Sequence, residues 1–506
     1  MRLSFRSVLH VLSAVFFILF ATLAAAAPYG EPFRVNTYTP GAQSASRVST
    51  GANGDTAVLF RDAARGNASF VRRYDAAGQA LTAEEWYVGF GATGVAVSGS
   101  GNFAIMRSAP DGSGQGIFVT LYNRAGSIIV PEFRVNDVTT GEQYPGTIAM
   151  NANGQFVVSW SQWAGSGMDY LVKRYQANGA PVAPATLVRT TPYNSIGIEV
   201  AIDSQGNFVA TWSELIALGG NNYDVFARRY ASTGVAFGPA FRVNTYTTGL
   251  QVSSWVAMNA TGNFVVTWTS HGQTGTYNWN VYAQRYSATG AALGGEFQVN
   301  VETSYYQPSV GVALASNGSF VITWGTDNSG VTPSARPYVL ARSYAATGAP
   351  VGAPFAVSTT ADKNNGFPYA ATDPEGNTFI AWGQYDSVDA DVYARRFLPV
   401  GAVAQLLPNP GQLASLSGVA GSWQYFKITV PAGHTTLDVS IFGNVGDADL
   451  YMRFGALPTL TRWDARPYIN GSNESVRMQN WPAGDWYIGI NGYSGYSTLN
   501  LQGASY

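Results

Sequence analysis

The chain has 506 residues, 11% of them charged and 13% aromatic, with 57 glycines, no cysteine and a formal charge of −2. That balance excludes an electrostatic case for a nucleic-acid partner, and the missing cysteines exclude disulfides and thiol or thiolate-metal chemistry. The length permits more than one domain, and a glycine-rich, aromatic, charge-poor composition suits an all-β protein with many tight turns.

Arg2 and Arg6 precede an apolar run from Val8 to Leu23, and "ATLAAAAP" offers a small-residue cleavage site near Ala26 or Ala27. This reads as a secretory signal over residues 1–27, with a secreted, extracellular product that has no membrane attachment after cleavage. A membrane anchor is the competing reading. The run is short for one, and small residues end it.

From about residue 31 to 400 four short signatures recur in fixed order, with a period of roughly 50–58 residues. The first is small and apolar: "VAVS" (95–98), "TIAMN" (147–151), "VAID" (200–203), "VAMN" (256–259), "VALA" (312–315). The second follows a glycine turn and ends in tryptophan: "FVVSW" (156–160), "FVATW" (208–212), "FVVTW" (264–268), "FVITW" (320–324), "FIAW" (379–382), with weaker forms at 56–60 and 103–107. The third is "DVFARRY" (224–230), "NVYAQRY" (280–286) and "DVYARRF" (391–397), and the fourth is "FRVN"-like. Each is of strand length and rich in β-branched or aromatic residues, and glycine turns join them, which predicts four-stranded antiparallel meanders. Arginine dispersed along these repeats reads as a solvated surface and not as a basic patch.

The register is offset. "FRVN" stands alone at Phe33–Asn36 with no third signature before it, whereas the last third signature, at 391–397, has no "FRVN" after it. A closed ring explains both facts if residues 33–36 supply the outer strand of the last blade. The expectation is a seven-bladed β-propeller with a split closing blade; an open solenoid would not require the offset. The units also resemble the "FQVN … FVVTW … YAQRY" repeats of large secreted bacterial proteins. That resemblance implies an extracellular setting and brings no catalytic residue with it.

Residues 401–412, "GAVAQLLPNPGQ", read as a semi-rigid linker. Beyond it, "GDADLY" (446–451), "RPY" (466–468), "NGSNES" (470–475) and "AGDWYIGINGY" (483–493) stand in an order and spacing that closely resemble the bacterial pre-peptidase C-terminal domain. The resemblance implies a small jelly-roll β-sandwich over 413–506, of the kind appended to secreted hydrolases, chiefly peptidases. Many members have a cysteine pair near "RPY", where this chain has Ala465 and Val476. Asp447 and Asp449 are a weak calcium candidate, with a turn whose carboxylates cap backbone N–H groups as the plainer reading; no other metal or cofactor is expected.

Three histidines, His10, His271 and His434, leave no H-E-x-x-H, and no G-x-S-x-G elbow occurs, so no familiar peptidase constellation can be written. Loop carboxylates available to a glycosidase-type reaction are Glu142, Glu214, Asp224, Glu302, Asp327, Asp386 and Asp389, none in a diagnostic motif. The long loops also carry aromatics: Trp163, Tyr193, Tyr246, Tyr277, Trp279, Tyr305 and Tyr306. Of these, Trp163, Tyr246, Tyr277, Trp279, Tyr305 and Tyr306 are the candidate ligand-binding residues, since flat rings on a rigid scaffold can stack on sugars or pack on a protein. The reading that follows is a monomeric, non-catalytic binder of an extracellular polymer, a glycan or a matrix protein. Its alternative is a secreted hydrolase, either of glycosidase type or peptidase-associated as the tail suggests.

Overall fold

The computed structural model describes residues 32–506, apart from 77, 166, 192–195, 217–221, 275–278, 302–309, 327–338, 359–363, 386–388, 401–404, 419–422, 444, 455–456, 459–462 and 468, and apart from the side chains of 364–366, 385 and 405. The described residues are all-β, with no helix, and form nine four-stranded sheets.

Seven of these sheets come from the repeats. In the fourth, Ile196–Ile202, Phe208–Leu215, Tyr223–Tyr230 and Phe241–Arg242 pair in order and antiparallel. The other sheets begin with Gln43–Thr50, Ala92–Val97, Gln143–Met150, Gln251–Met258, Val310–Leu314 and Asn364–Thr372. The seventh is completed from the front of the chain: Phe33–Arg34 pairs with Ala390–Phe397, with Phe33 opposite Ala394. Phe241 opposite Ala227 and Phe297 opposite Ala283 repeat that register.

The asparagine of "FRVN" recurs for a physical reason. The outer strand, two residues long before Asn36, Asn244 and Asn300 and seven before Asn136, ends two residues ahead of the asparagine, and the chain then departs, leaving an N–H of the third strand in need of an acceptor. Asn36 Oδ1 takes it from Val392 at 2.8 Å, Asn136 from Ile117 at 2.8 Å, Asn244 from Val225 at 2.7 Å and Asn300 from Val281 at 2.8 Å. A buried N–H without a partner costs about 1–3 kcal/mol, so this residue can be read as a side-chain extension of the ladder.

Cores lie between sheets. The Phe156, Val158 and Trp160 face of the third sheet packs on Ala104, Met106 and Val119 of the second, while Val157 on its other face packs with Phe208, Ala210 and Trp212 of the fourth. The same relation recurs along the series. It extends between the seventh sheet and the first, where Phe379, Ala381, Val392 and Ala394 pack against Val58, Phe60 and Phe70, with Val35 among them. The tryptophans Trp160, Trp212, Trp268, Trp324 and Trp382 are all buried. Truncating one to alanine typically costs 3–5 kcal/mol.

The arginines depart from the expectation of a solvated surface. Arg174 donates to Thr233 O at 2.7 Å, Arg285 to Ala346 O at 2.5 Å, and Arg229 to the Ala288 and Thr289 carbonyls. In each case the acceptor is a turn of the following sheet. Arg396, from the seventh sheet, reaches Ala76 of the first. Such turns must leave room for the guanidinium: Gly290 has φ +84°, and a Cβ there would lie 2.8 Å from Arg229 Nη1. Hairpin carbonyls that point at the next sheet are the ligands a charge-spacing argument cannot see.

The remaining two sheets form the tail. One orders Gln405–Leu406, Trp423–Val430, Gly484–Gly492 and Ala448–Phe454; the other Gly411–Gly418, Tyr496–Ser505, Thr436–Phe442 and Glu474–Gln479. They share one core with Phe426, Ile441, Leu450, Trp486 and Leu501, and none of its residues belongs to the repeat cores. Ala465 and Val476 pack against this core as partly buried apolar groups. Within 401–412, Gln405–Leu406 is already strand, and Leu407 is buried in the tail core, where burial of its side chain favours docking of this segment over remaining extended in water.

Candidate functional site

The first strands of all seven repeat sheets line one cavity of about 220 Å³. Gln43–Thr50 shows why: Ser44 to Thr50 are all partly exposed, whereas its neighbours Thr56–Asp62 and Ala68–Tyr74 are almost wholly buried. Small signature residues make most of the wall, among them Val95, Ala96, Ala149, Ala257, Ala313 and Ala371.

One register position departs from this. It directly precedes the small apolar pair in each repeat and is occupied in turn by Arg47, Gly94, Thr147, Glu199, Trp255, Gly311 and Tyr369. Strand pairing places these residues at equivalent heights: Arg47 lies opposite Leu59, Gly94 opposite Met106, Glu199 opposite Thr211, Trp255 opposite Thr267, Gly311 opposite Thr323 and Tyr369 opposite Ala381. At this height four large side chains, Arg47, Glu199, Trp255 and Tyr369, stand among the small ones.

Two of the four are charged and meet. Arg47 Nη2 lies 3.3 Å from Glu199 Oε1, with side chains 20% and 15% exposed, which leaves both largely out of water. The Arg47 guanidinium lies 4.5 Å from the Trp255 ring centre and 5.4 Å from that of Tyr369, and these two rings meet edge to face at 5.6 Å. Aromatic faces of this kind hold a guanidinium by cation–π attraction and restrict its rotation. Arg47 Nη1 donates to Ser46 O at 3.3 Å, while Nε is buried with no hydrogen-bond partner among the described residues. Burial pushes the Glu199 carboxyl up to about 7, against the opposing pull of Arg47 and a hydrogen bond from Thr147. A carboxyl of this kind exchanges its proton near neutrality. Two-carboxylate glycosidic chemistry needs a second acid, and Glu199 is the one carboxylate among the described lining residues.

The residues singled out from sequence lie elsewhere. Trp163 is 49% exposed near the end of Phe156–Ala164 in the third sheet. Tyr246 and Trp279 gather in the fifth sheet's surroundings: the Tyr246 hydroxyl donates to Gly272 O at 3.1 Å, and the Trp279 ring lies tilted against His271 at 5.0 Å. Tyr193, Tyr277, Tyr305 and Tyr306 lie outside the described residues, as do Glu302, Asp327 and Asp386. The remaining loop carboxylates are engaged within the fold. Glu214 takes Arg189 at 2.7 Å and Trp212 Nε1 at 3.2 Å, and Asp224 takes Asn244 at 2.6 Å. Glu142 accepts from Gln115 N at 3.0 Å and Asp389 from Gly41 N at 3.1 Å. In the tail, Asp447 accepts from Gly471 N at 3.1 Å, and Asp449 pairs with Arg466 at 3.0 Å. Among the described residues no group of three or more His, Cys, Asp or Glu is placed to hold a metal ion.

Sequence reasoning passed over Arg47, Glu199, Trp255 and Tyr369. Their signal was available: aligning the repeats on the small apolar pair exposes a column in which charge and aromaticity replace small residues.

Residues 424–492 match the family model of the bacterial pre-peptidase C-terminal domain. Alkaline serine exoprotease A of Vibrio alginolyticus is 41% identical over 104 residues, which cover 21% of this chain and 18% of that protein. The virulence metalloprotease of Vibrio anguillarum is 39% identical over 87 residues, covering 17% of this chain and 14% of that protein. The chain therefore spans less than a fifth of the length of these relatives. The solution structure of vEP C-ter 100 is 39% identical, with 20% of this chain and 97% of that one covered, at a TM-score of 0.18. These matches correct the expectation of a non-catalytic polymer binder: the relatives are named as proteases, which favours the peptidase-associated alternative. The protein is secreted and extracellular, as sequence reasoning expected.

Proposed function

We propose that this is a secreted, peptidase-associated protein in which a seven-bladed β-propeller over residues 31–400 carries the C-terminal module of exported bacterial proteases. The match of residues 424–492 to the pre-peptidase C-terminal family is the observation that carries this reading. Support for the propeller comes from three features: the shared cavity, the paired Phe33–Arg34 strand, and the core between the seventh and first sheets. The two tail sheets around one core accord with a jelly-roll sandwich over 413–506.

In this reading the tail serves the export and action of extracellular proteolysis. The test is deletion of residues 413–506 in the producing bacterium. The expected outcome is less of the protein in the culture supernatant and less peptide released from casein or collagen by that supernatant. Equal export and equal peptide release with and without the tail would overturn the proposal.

A further inference from the structure

The cavity lined by the seven first strands belongs to the repeat sheets, with no residue of the tail in its lining. Its wall is mixed: Val48, Val95, Ala149, Ala257 and Ala313 line it from five different sheets, with Ser49, Thr50, Thr147 and Thr372 between them. Against that wall stand one cation and one acid, Arg47 and Glu199, and these are the charged groups of its described lining. At about 220 Å³ it is smaller than the pockets that take drug-sized ligands, roughly 300–1,000 Å³, and admits only a small molecule.

We propose that this cavity binds a small apolar carboxylate, with the anion on the Arg47 guanidinium and the hydrocarbon part against the valine and alanine wall. The guanidinium is held in advance by Trp255 and Tyr369, so little side-chain entropy is lost on binding. Nη1 and Nη2 are each engaged once, at 3.3 Å, by Ser46 O and Glu199, and each carries a second N–H, which leaves donors for a two-pronged carboxylate contact. Glu199 sets the condition for entry. Ionised, it neutralises Arg47 and repels a second anion; protonated, it leaves the arginine uncompensated in a poorly solvated place, where an incoming carboxylate restores the balance. The groups facing Glu199 from the neighbouring strands are Arg47, the Thr147 hydroxyl and apolar side chains. The same ligand chemistry has two sources, a free short-chain fatty acid and the C-terminal carboxylate of a short apolar peptide.

Isothermal titration of the full secreted chain with hexanoate, with N-acetyl-alanyl-leucine and with the C-terminal amide of that dipeptide tests this. Binding of an acid and not of the amide is expected. The tighter of the two acids identifies the source. Affinity should rise roughly tenfold from pH 8 to pH 6, the change in the protonated fraction of a group titrating near 7. Arg47→Met should abolish binding. Should that variant fail to fold, Glu199→Gln decides: it should bind at pH 8 as tightly as the parent does at pH 6, with no pH dependence between. An amide that binds as well as its acid, no binding of any probe by the parent and by Glu199→Gln, or an unchanged pH profile in Glu199→Gln overturns the proposal.

Discussion

At the scale of single residues, the repeats are held by polar side chains that do backbone work. Asn244 is 2% exposed, accepts from Val225 N, and donates to Asp224 Oδ1 at 2.6 Å and Tyr246 O at 2.9 Å. Asn244→Ala would strand a buried N–H and leave the buried Asp224 carboxylate to Arg242, at 3.5 Å. The expected loss is about 3 kcal/mol, given that each unsatisfied buried group costs on the order of 1–3 kcal/mol. Urea denaturation checks this; a midpoint within error of the parent would mean that the asparagine is decorative. The arginines teach the same lesson. Arg174 and Arg285 are spent on carbonyls of the next sheet, so their charge contributes to joining sheets before it contributes to any surface field.

At the scale of elements, the shortest strand has the largest consequence. Phe33–Arg34 supplies two residues of pairing, yet Val35 N donates to Val392 O at 2.7 Å, Phe33 packs edge-on to Tyr74 and Phe379, and Asn36 caps Val392. Tyr74 belongs to the first sheet and Phe379 to the seventh, so this one strand fastens both. Removing the chain through Asn36 should uncover the edge of Ala390–Phe397, lower the melting temperature and promote self-association, because an unpaired strand edge is a template for another chain. Scanning fluorimetry with size-exclusion chromatography measures both effects. A truncated protein that is as stable and as monomeric as its parent would refute the role given to this strand.

At the scale of the whole molecule, the cavity exists only because seven strands from distant parts of the chain face one another, and stability should register the acid that it holds. Glu199 is raised from 4.5 to about 7 when folded, so it binds its proton more tightly in the native state than in the unfolded chain. Its contribution to stability is therefore fully present below about pH 4.5 and is lost as pH rises through 7. The size is about 3 kcal/mol at roughly 1.4 kcal/mol per unit. Glu199→Gln should remove this slope, which chemical denaturation from pH 4.5 to 8 of parent and variant would reveal as a difference that grows with pH. Parallel profiles would show that the carboxyl is already solvated.

The sequence by itself determined the all-β class, the four-strand unit, its turns and the offset of "FRVN", because these rest on local periodicity and on order along the chain. It also determined the kinship of the tail, since "RPY", "NGSNES" and "AGDWYIGINGY" lie within one continuous stretch. What the tertiary structure alone decided is the meeting of Arg47 with Glu199. They are 152 positions apart, on the first and fourth sheets, with Trp255 and Tyr369 arriving from the fifth and seventh. Each looks like an irregularity in its own repeat. Only when the sheets are packed side by side do their first strands share one space, where burial moves a carboxyl to neutrality and aromatic faces hold a guanidinium in place. Periodicity reports which face a residue takes. It carries no information about which other repeat that face will meet.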